Sequence, residues 1–237
     1  MPFLANPIFC ALDTTDADYA AGLARELAGC VGGVKLGLEF FYAHGRSGYE
    51  AVAAAGLPIF LDLKLHDIPN TVAGGLRALM ELDPVPAIIN VHAGGGADMM
   101  RAAADAVAGR CKLIGVTVLT SLNDADLGEI GFTSDKDTRA HAVSLAQLAR
   151  SAGLDGVVCS SLDIESIKAS TAPEFLTIVP GIRPSGADVG DQKRIATPGS
   201  ATKSGADVLV VGRPITQASS PAEAASEIFE QVEAARG

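Results

Sequence analysis

Residues 58–71 read Pro-Ile-Phe-Leu-Asp-Leu-Lys-Leu-His-Asp-Ile-Pro-Asn-Thr and carry the strongest structural signal in the chain. The apolar beginning of this stretch predicts a β-strand, in which successive side chains point to opposite faces. Asp62 and Lys64 therefore share one face of the strand, and Leu61 and Leu63 share the other. If the leucines pack beneath helices, the two charges lie in a partly desolvated mouth, where a charge is costly unless it is paired or used. A structural ion pair is the simpler explanation of an isolated Asp-x-Lys, so the rest of the chain must distinguish the two interpretations.

Apolar runs of the same kind recur along the whole chain and alternate with amphipathic stretches. The run at 208–211 is continuously apolar, as expected of a parallel strand that is covered on both faces. Eight strand–helix units at a spacing of roughly 25 to 30 residues, with one longer spacer at 122–137, predict a single (β/α)8 barrel domain spanning residues 1–237. An open doubly wound sheet is the alternative, but it needs no eighth unit and no Gly-x-Gly-x-x-Gly follows the first strand. The predicted strands are 7–13, 33–37, 58–64, 87–93, 112–119, 156–160, 176–181 and 208–212.

The composition predicts one soluble domain in the cytoplasm. A chain of 237 residues that is 48% hydrophobic can bury one large core. No apolar segment of about 18 residues is present and the start lacks the pattern of a signal peptide, so we expect no membrane partner. The cysteines lack Cys-x-x-Cys spacing, which favours buried thiols over a metal site or disulfides. The net charge of −10 disfavours a nucleic-acid partner.

Polar residues lie at the end of most predicted strands, where a barrel of this type holds its active site. Apolar strands do not require polar ends, and chance would scatter such residues over both ends of the barrel. Their common placement therefore predicts a functional rim. The rim residues are Asp13, Lys35, Asp62, Lys64, His92, Thr120, Ser121, Arg183 and Arg213.

The loops after the last two strands predict a phosphate site. Gly181 and Gly212 allow close approach of the backbone, and Arg183 and Arg213 can contact oxyanions in pairs of hydrogen bonds. Phosphate groups commonly bind at these two loops of the barrel, although turn glycines beside solvated arginines would give the same pattern. The long polar segment at about 183–197 predicts a lid loop, with a disordered surface insertion as the alternative.

Five motifs, in the expected order and without departure at any motif position, closely resemble the bacterial type of the orotidine 5'-phosphate decarboxylase family. The resemblance extends over residues 13–216, nearly the whole chain, and the run at 62–71 is its most specific part. The motifs are Asp-Leu-Lys-Leu-His-Asp-Ile-Pro-Asn-Thr at 62–71, Val-Leu-Thr-Ser at 118–121, Pro-Gly-Ile-Arg at 180–183, Asp-Gln at 191–192 and Gly-Arg-Pro-Ile-Thr at 212–216.

The resemblance implies decarboxylation of orotidine 5'-phosphate to uridine 5'-phosphate, in pyrimidine biosynthesis, with neither a metal nor an organic cofactor. Loss of the carboxylate leaves a carbanion at carbon 6 of the pyrimidine with no electron sink, so a fixed ammonium group must stabilise it and then protonate it. By similarity Lys64 is the proton donor. Lys35, Asp62 and Asp67 complete an alternating charge array, with Asp62 near the departing carboxylate and Asp67 contributed by the second subunit of a homodimer.

The resemblance also implies the contacts to the ribose and the base. Asp13 and Lys35 are the expected contacts of the ribose hydroxyls, with Thr71 of the neighbouring subunit close by. Ser121, together with Thr120, is expected to hydrogen-bond the pyrimidine edge.

At the other end of the substrate, Gln192 on the lid is expected to bridge the phosphate and the base, while Arg183, Gly212 and Arg213 hold the phosphate. Binding energy at the remote phosphate would then keep the lid closed and organise the reacting end. The implied substrate contacts also include Ile68 and Pro180. His66 and His92 are expected to be structural.

Two other classes of protein compete with this interpretation. A metal-dependent sugar-phosphate decarboxylase or aldolase of the same barrel superfamily shares the Asp-x-Lys-x-x-Asp run, but it is expected to offer a carboxylate on the second strand. Lys35 stands there, and a cation repels magnesium. A non-catalytic barrel that only binds nucleotides is the second alternative, although an unused buried charge array would be an electrostatic cost.

Overall fold

The computed structural model describes residues 4–132, 135–184 and 196–237. Within these residues eight parallel strands form a closed barrel, in which each strand pairs with the next along the chain and the last pairs with the first. The prediction of a (β/α)8 barrel is therefore confirmed, and the open sheet is wrong. The strands are β1 (Ile8–Ala11), β2 (Gly33–Gly37), β3 (Ile59–Leu65), β4 (Ile88–His92), β5 (Lys112–Val116), β6 (Gly156–Val158), β7 (Leu176–Val179) and β8 (Val208–Val211).

Helices surround the barrel, and several of them begin with a side-chain cap. Asp16 accepts a hydrogen bond from the backbone N–H of Tyr19 at the start of the first helix, and Asp137 does the same for Ala140 farther along. Such caps satisfy backbone donors that a helix leaves unpaired. The helices of the described residues are α1 (Ala17–Glu26), α2 (Leu38–Ala53), α3 (Pro69–Leu79), α4 (Gly96–Val107), α5 (Asp124–Glu129), α6 (Thr138–Ser151), α7 (Ile164–Ser170), α8 (Pro198–Lys203), α9 (Arg213–Thr216) and α10 (Pro221–Arg236).

Side chains from alternate strand positions fill the inside of the barrel. A cluster that includes Phe9, Phe60 and Ile114 packs there, separate from the larger layer between strands and helices. Gly33 and Gly156 leave room for bulky neighbours in this interior. A Cβ atom at Gly33 would lie 2.3 Å from Phe9 Cε1, and one at Gly156 would lie 2.3 Å from the carbonyl oxygen of Leu176.

Strand β3 is irregular where its charged residues begin. Leu61 pairs with Ile89, but the next pair that β3 makes with β4 joins Leu65 to Val91. The chain therefore advances four residues on β3 and two on β4, and Lys64 lies in the left-handed region with φ of 49°. This region is rarely occupied by residues other than glycine. The irregularity lies at the carboxyl end of the strand, at the rim of the barrel.

The opposite end of the barrel carries a buried polar network. Asp207 Oδ2 accepts hydrogen bonds from Lys168 Nζ at 2.6 Å and from the backbone N–H of Thr177 at 2.7 Å. Thr177 is fully buried, and its hydroxyl, which has one proton to donate, lies 3.0 Å from Asp207 Oδ2 and 3.1 Å from the carbonyl oxygen of Gly205. These bonds satisfy backbone and side-chain groups between β7 and β8, so we assign the network to stability.

The four cysteines are free thiols, and three of them are buried. Burial, with Asp13 nearby, raises the pKa of Cys10 to about 12, and burial likewise raises the pKa of Cys111 to about 12. Thiols with such values are protonated and unreactive at neutral pH. Among the described residues, no helix combines the length and the apolar character needed to cross a membrane.

Candidate active site

A cavity of about 670 Å³ opens at the carboxyl ends of the strands. It collects residues that are far apart in sequence, because parallel strands of a barrel all end at one rim. The volume is in the range of small-molecule sites. Ten of the predicted site residues line this cavity: Asp13, Lys35, Asp62, Lys64, Thr120, Ser121, Pro180, Arg183, Gly212 and Arg213.

Four of these residues form a chain of alternating charges. Lys35 Nζ lies 3.0 Å from Asp13 Oδ1 and 3.5 Å from Asp62 Oδ2. The other oxygen of Asp62 lies 2.7 Å from Lys64 Nζ. Asp62 and Lys35 keep only 12% and 10% of their side-chain surface exposed, whereas Lys64 keeps 32% and faces the opening. The arrangement makes the Lys64 ammonium group the more accessible of the two and pairs it with the nearly buried carboxylate of Asp62.

The buried members of this chain depend on one another for their charge. Burial alone would raise the pKa of Asp62, but Lys35, Lys64 and the hydrogen bonds from Lys64 and Asn90 outweigh it and hold that pKa below its usual range. Burial likewise disfavours the charged form of Lys35, yet Asp62 and Asp13 raise its pKa above the ordinary value. Both groups are therefore ionised at neutral pH.

Asn90 is a member of the site that the sequence interpretation missed. It lies on β4, is fully buried, and donates its amide to Asp62 Oδ1 at 2.7 Å. Its amide oxygen accepts the backbone N–H of Lys64, also at 2.7 Å. The available signal was a polar residue inside the otherwise apolar run Ile88-Ile89-Asn90-Val91 of a central strand.

The loops after β7 and β8 supply the basic end of the cavity. Arg183 is buried, and its Nη1 donates to the carbonyl oxygen of Ile182 at 2.9 Å. Gly212 precedes the short helix α9, which begins at Arg213. Arg183 also donates its backbone N–H to Ala196 at 2.9 Å, so the two ends of the predicted lid are joined. Gln192, the predicted lid contact, lies outside the described residues.

Asp67, Ile68 and Thr71 do not line the cavity of their own chain. Residues 66–71 are all exposed, and Ile68 keeps 67% of its surface accessible. Asp67 Oδ1 accepts the backbone N–H of Ile68 at 2.6 Å, just before α3 begins. A single chain therefore brings together the residues that are expected to act within one subunit and leaves these three at the surface.

His66, the first residue of this exposed run, stacks on His92. The rings of His66 and His92 stack with centroids 5.1 Å apart and an interplanar angle of 15°. The pKa of His92 is lowered mainly by burial, and to a smaller extent by the nearby His66 and Lys64. The stack connects the end of β4 to the segment that follows β3. The structural role expected of both residues stays a prediction.

The fold and the site define a (β/α)8-barrel enzyme in which a lysine–carboxylate array and two arginines line the same cavity. Residues 6–228 match the family described as "Orotidine 5'-phosphate decarboxylase / HUMPS family". The chain belongs to this family.

Named relatives cover nearly the entire chain. This chain is 48% identical to the orotidine 5'-phosphate decarboxylase of Paramagnetospirillum magneticum, over 95% of this chain and 97% of the relative. It is 52% identical to that of Sphingopyxis alaskensis, over 95% and 98% of the two chains. Among solved structures, the orotidine 5'-phosphate decarboxylase of Lactobacillus acidophilus is similar with a TM-score of 0.83 and 35% identity, over 96% of this chain and 99% of that one.

Proposed function

We propose that this protein decarboxylates orotidine 5'-phosphate to uridine 5'-phosphate, using its own side chains and no metal or organic cofactor. The family and the named relatives support this substrate. The observation that carries the proposal is the Lys64 ammonium group, which faces the cavity and is held 2.7 Å from a buried carboxylate of Asp62. An ammonium group fixed in this way is suited to meet a negative charge that develops in the cavity.

The reaction breaks the bond between carbon 6 of the pyrimidine and the carboxylate. The carboxylate leaves as carbon dioxide, and the bonding electron pair stays on carbon 6. Lys64 stabilises this pair by its charge and then transfers a proton from Nζ to carbon 6, after which the amine regains a proton from solvent. Lys35 and Asp62 remain ionised and fix the direction of Lys64. Because these groups are oriented before the substrate binds, little reorganisation is required in the transition state.

The remaining contacts orient the substrate. Arg183 and Arg213 would hold the phosphate by charge-assisted hydrogen bonds. Gly212, which has no side chain, would allow the phosphate to approach the backbone closely. Thr120 and Ser121, on the loop after β5, line the cavity and would hydrogen-bond the pyrimidine edge. The lid over 183–197, with Gln192, would close on the phosphate and the base. Binding energy at the phosphate is then used to position the reacting end.

Asp13 and Lys35 serve the middle of the substrate in this proposal, as contacts of the ribose hydroxyls. Asp13 keeps 59% of its side chain exposed although it lies 3.0 Å from Lys35 Nζ. Its carboxylate can therefore accept a hydroxyl donor from the cavity without leaving the charge array. Pro180 contributes an apolar wall on the same rim.

The protein is further proposed to act as a homodimer with shared active sites. Asp67, Ile68 and Thr71 of each subunit would then reach the cavity of the other. Their exposure supports this arrangement, because a large apolar side chain such as Ile68 at the edge of a charged site is suited to an interface. We also propose a cytoplasmic location, which agrees with four free cysteines.

The direct test follows the ultraviolet change as orotidine 5'-phosphate is consumed in the presence of a chelator. We expect turnover by the wild-type protein, and a loss of about 10²- to 10⁴-fold in kcat for Lys64→Ala because the proton donor is removed. Lys203→Ala, an exposed lysine of α8, is the matched control and should retain full activity.

Each failure has a distinct meaning in this test. Absence of turnover by the wild type would contradict the proposed substrate. Turnover that chelation abolishes would favour the metal-dependent alternative, which Lys35 on β2 disfavours.

A further inference from the structure

The interruption between β3 and β4 places the backbone of Lys64 out of the regular ladder. Between the pairs Leu61–Ile89 and Leu65–Val91, two extra residues are accommodated on β3. Within this interruption the backbone N–H of Lys64 donates to the side chain of Asn90 at 2.7 Å. An unusual left-handed conformation, with φ of 49°, is thus held at the base of the side chain that faces the cavity.

The same asparagine also holds the far end of that side chain through Asp62. Asn90 Nδ2 and Lys64 Nζ both donate to Asp62 Oδ1, each at 2.7 Å. Asn90 therefore contacts the main chain of Lys64 directly and its ammonium group through one shared oxygen. The three residues form a closed circuit of hydrogen bonds that fixes both ends of the Lys64 side chain.

A carboxamide is well matched to this position. The Lys64 N–H requires an acceptor, and the Asp62 carboxylate requires a donor, at the same time. A neutral asparagine offers one of each in a fixed geometry. Asn90 is fully buried and does not line the cavity, so it is separated from the substrate by the residues that it holds.

We propose that Asn90 is a positioning residue for the decarboxylation, setting the place of the Lys64 ammonium group and of the Asp62 carboxylate without touching the substrate. This inference rests on the proposed function. It predicts that Asn90 affects the chemical step more than substrate binding, because binding draws mainly on the distant phosphate contacts.

Asn90→Leu removes both hydrogen bonds at similar volume. We expect kcat to fall by about 10²-fold, the loss that a displacement of about 1 Å of a reacting group can cause, while the affinity for uridine 5'-phosphate stays close to that of the wild type. Thr177→Val is the matched control, since it removes buried hydrogen bonds from the opposite end of the barrel. It should lower the thermal midpoint and leave kcat unchanged.

Asn90→Asp provides a test by pH. The introduced carboxyl contacts Asp62 and Lys64, and His92 follows two residues later on the same strand. When it is protonated, its hydroxyl can donate to Asp62 and its carbonyl can accept the Lys64 N–H, as asparagine does. When it is ionised, it repels Asp62. Activity of this variant relative to the wild type should therefore rise as the pH falls from about 8 to about 5, since burial and a neighbouring carboxylate favour protonation.

A readout that needs no turnover separates this inference from the proposed function. Reductive methylation with peptide mapping measures how readily the Lys64 amine reacts, and Asn90→Leu should increase that rate relative to Thr177→Val. If the wild type fails to consume orotidine 5'-phosphate, the proposed function is wrong, and the labelling still tests the positioning.

Three results would overturn the inference. They are a kcat for Asn90→Leu close to that of the wild type, equal losses of kcat in Asn90→Leu and Thr177→Val, and no recovery of Asn90→Asp at low pH. The last measurement also decides the case in which Asn90→Leu does not fold.

Discussion

At the scale of single residues, Asp62 shows how a charge is kept inside the barrel. Its carboxylate is nearly buried, yet it has Lys35 on one oxygen and Lys64 with Asn90 on the other. Removing a charge from water is expensive unless partners and hydrogen bonds replace the lost hydration. Each neighbour of Asp62 therefore contributes to keeping this carboxylate ionised in the place where the proposed reaction needs it.

The lowered pKa of Asp62 predicts a specific dependence of stability on pH. In the unfolded chain an aspartate has a pKa of about 4. Because the pKa of Asp62 is lower in the folded protein, this residue stabilises the fold above that pH, and the stabilisation is lost as the pH falls toward the folded pKa. We expect the difference in free energy of unfolding, wild type minus Asp62→Asn, to decrease as the pH is lowered from 7 to 3. Urea denaturation at a series of pH values measures it, and a constant difference would refute the ionised, paired state of Asp62.

The alternation of side chains along a strand predicted that Asp62 and Lys64 lie on the same face of β3. The structure agrees, because both side chains line the cavity. The alternation could not predict Asn90, because a contact between a side chain and the backbone of another strand depends on register. The register of β3 against β4 is shifted by two extra residues, and no periodicity reveals such a shift. The roles assigned to the individual residues remain predictions until the variants are measured.

At the scale of elements, the strands were easier to predict than the short helices. The spacer at 122–137 was treated as a longer connection, but α5 lies within it and is capped by Asn123 and Asp126 in a reciprocal arrangement. A helix of six residues contributes too few apolar positions to show a period. The capping pair, three residues apart, was the available signal.

The interior glycines give a prediction at this scale. Gly156→Ala would place a Cβ atom 2.3 Å from the carbonyl oxygen of Leu176, a backbone atom that cannot move without disturbing β7. We expect a loss of at least about 1–3 kcal/mol in the free energy of unfolding. Gly22→Ala in α1, where the nearest atom lies 3.9 Å away, should instead gain up to about 1 kcal/mol. Equal stability of Gly156→Ala and the wild type in urea would contradict the tight packing of β6 against β7.

At the scale of the whole molecule, the closed barrel was predictable because eight similar units recur along the chain and parallel strands share one rim. The assembly is a different matter. The sequence shows that residues 66–71 are the second part of the motif at 62–71. Only the fold shows that this part is exposed and that Asp67, Ile68 and Thr71 lie outside the cavity of their own chain. The proposal that these residues complete the site of a second subunit therefore depends on two observations, their place in the motif and their exposure at the surface.

Shared sites predict recovery of activity from two inactive proteins. Lys64→Ala and Asp67→Ala homodimers should each be nearly inactive, because every site in them lacks one of the two residues. After subunit exchange, each mixed dimer holds one complete site, so random mixing should restore about a quarter of the wild-type activity. Exchange must be shown independently, for example by mass spectrometry of labelled subunits. No recovery after complete exchange would contradict the placement of Asp67 across the interface.

The parallel pairing of Ile182 with Ala196 has a consequence for how this enzyme could evolve. The barrel itself holds those two positions together. A longer connection between them would therefore raise the entropic cost of closing the loop only slightly. Relatives should therefore be able to differ in the length and sequence of the segment between these two positions without a change in the barrel.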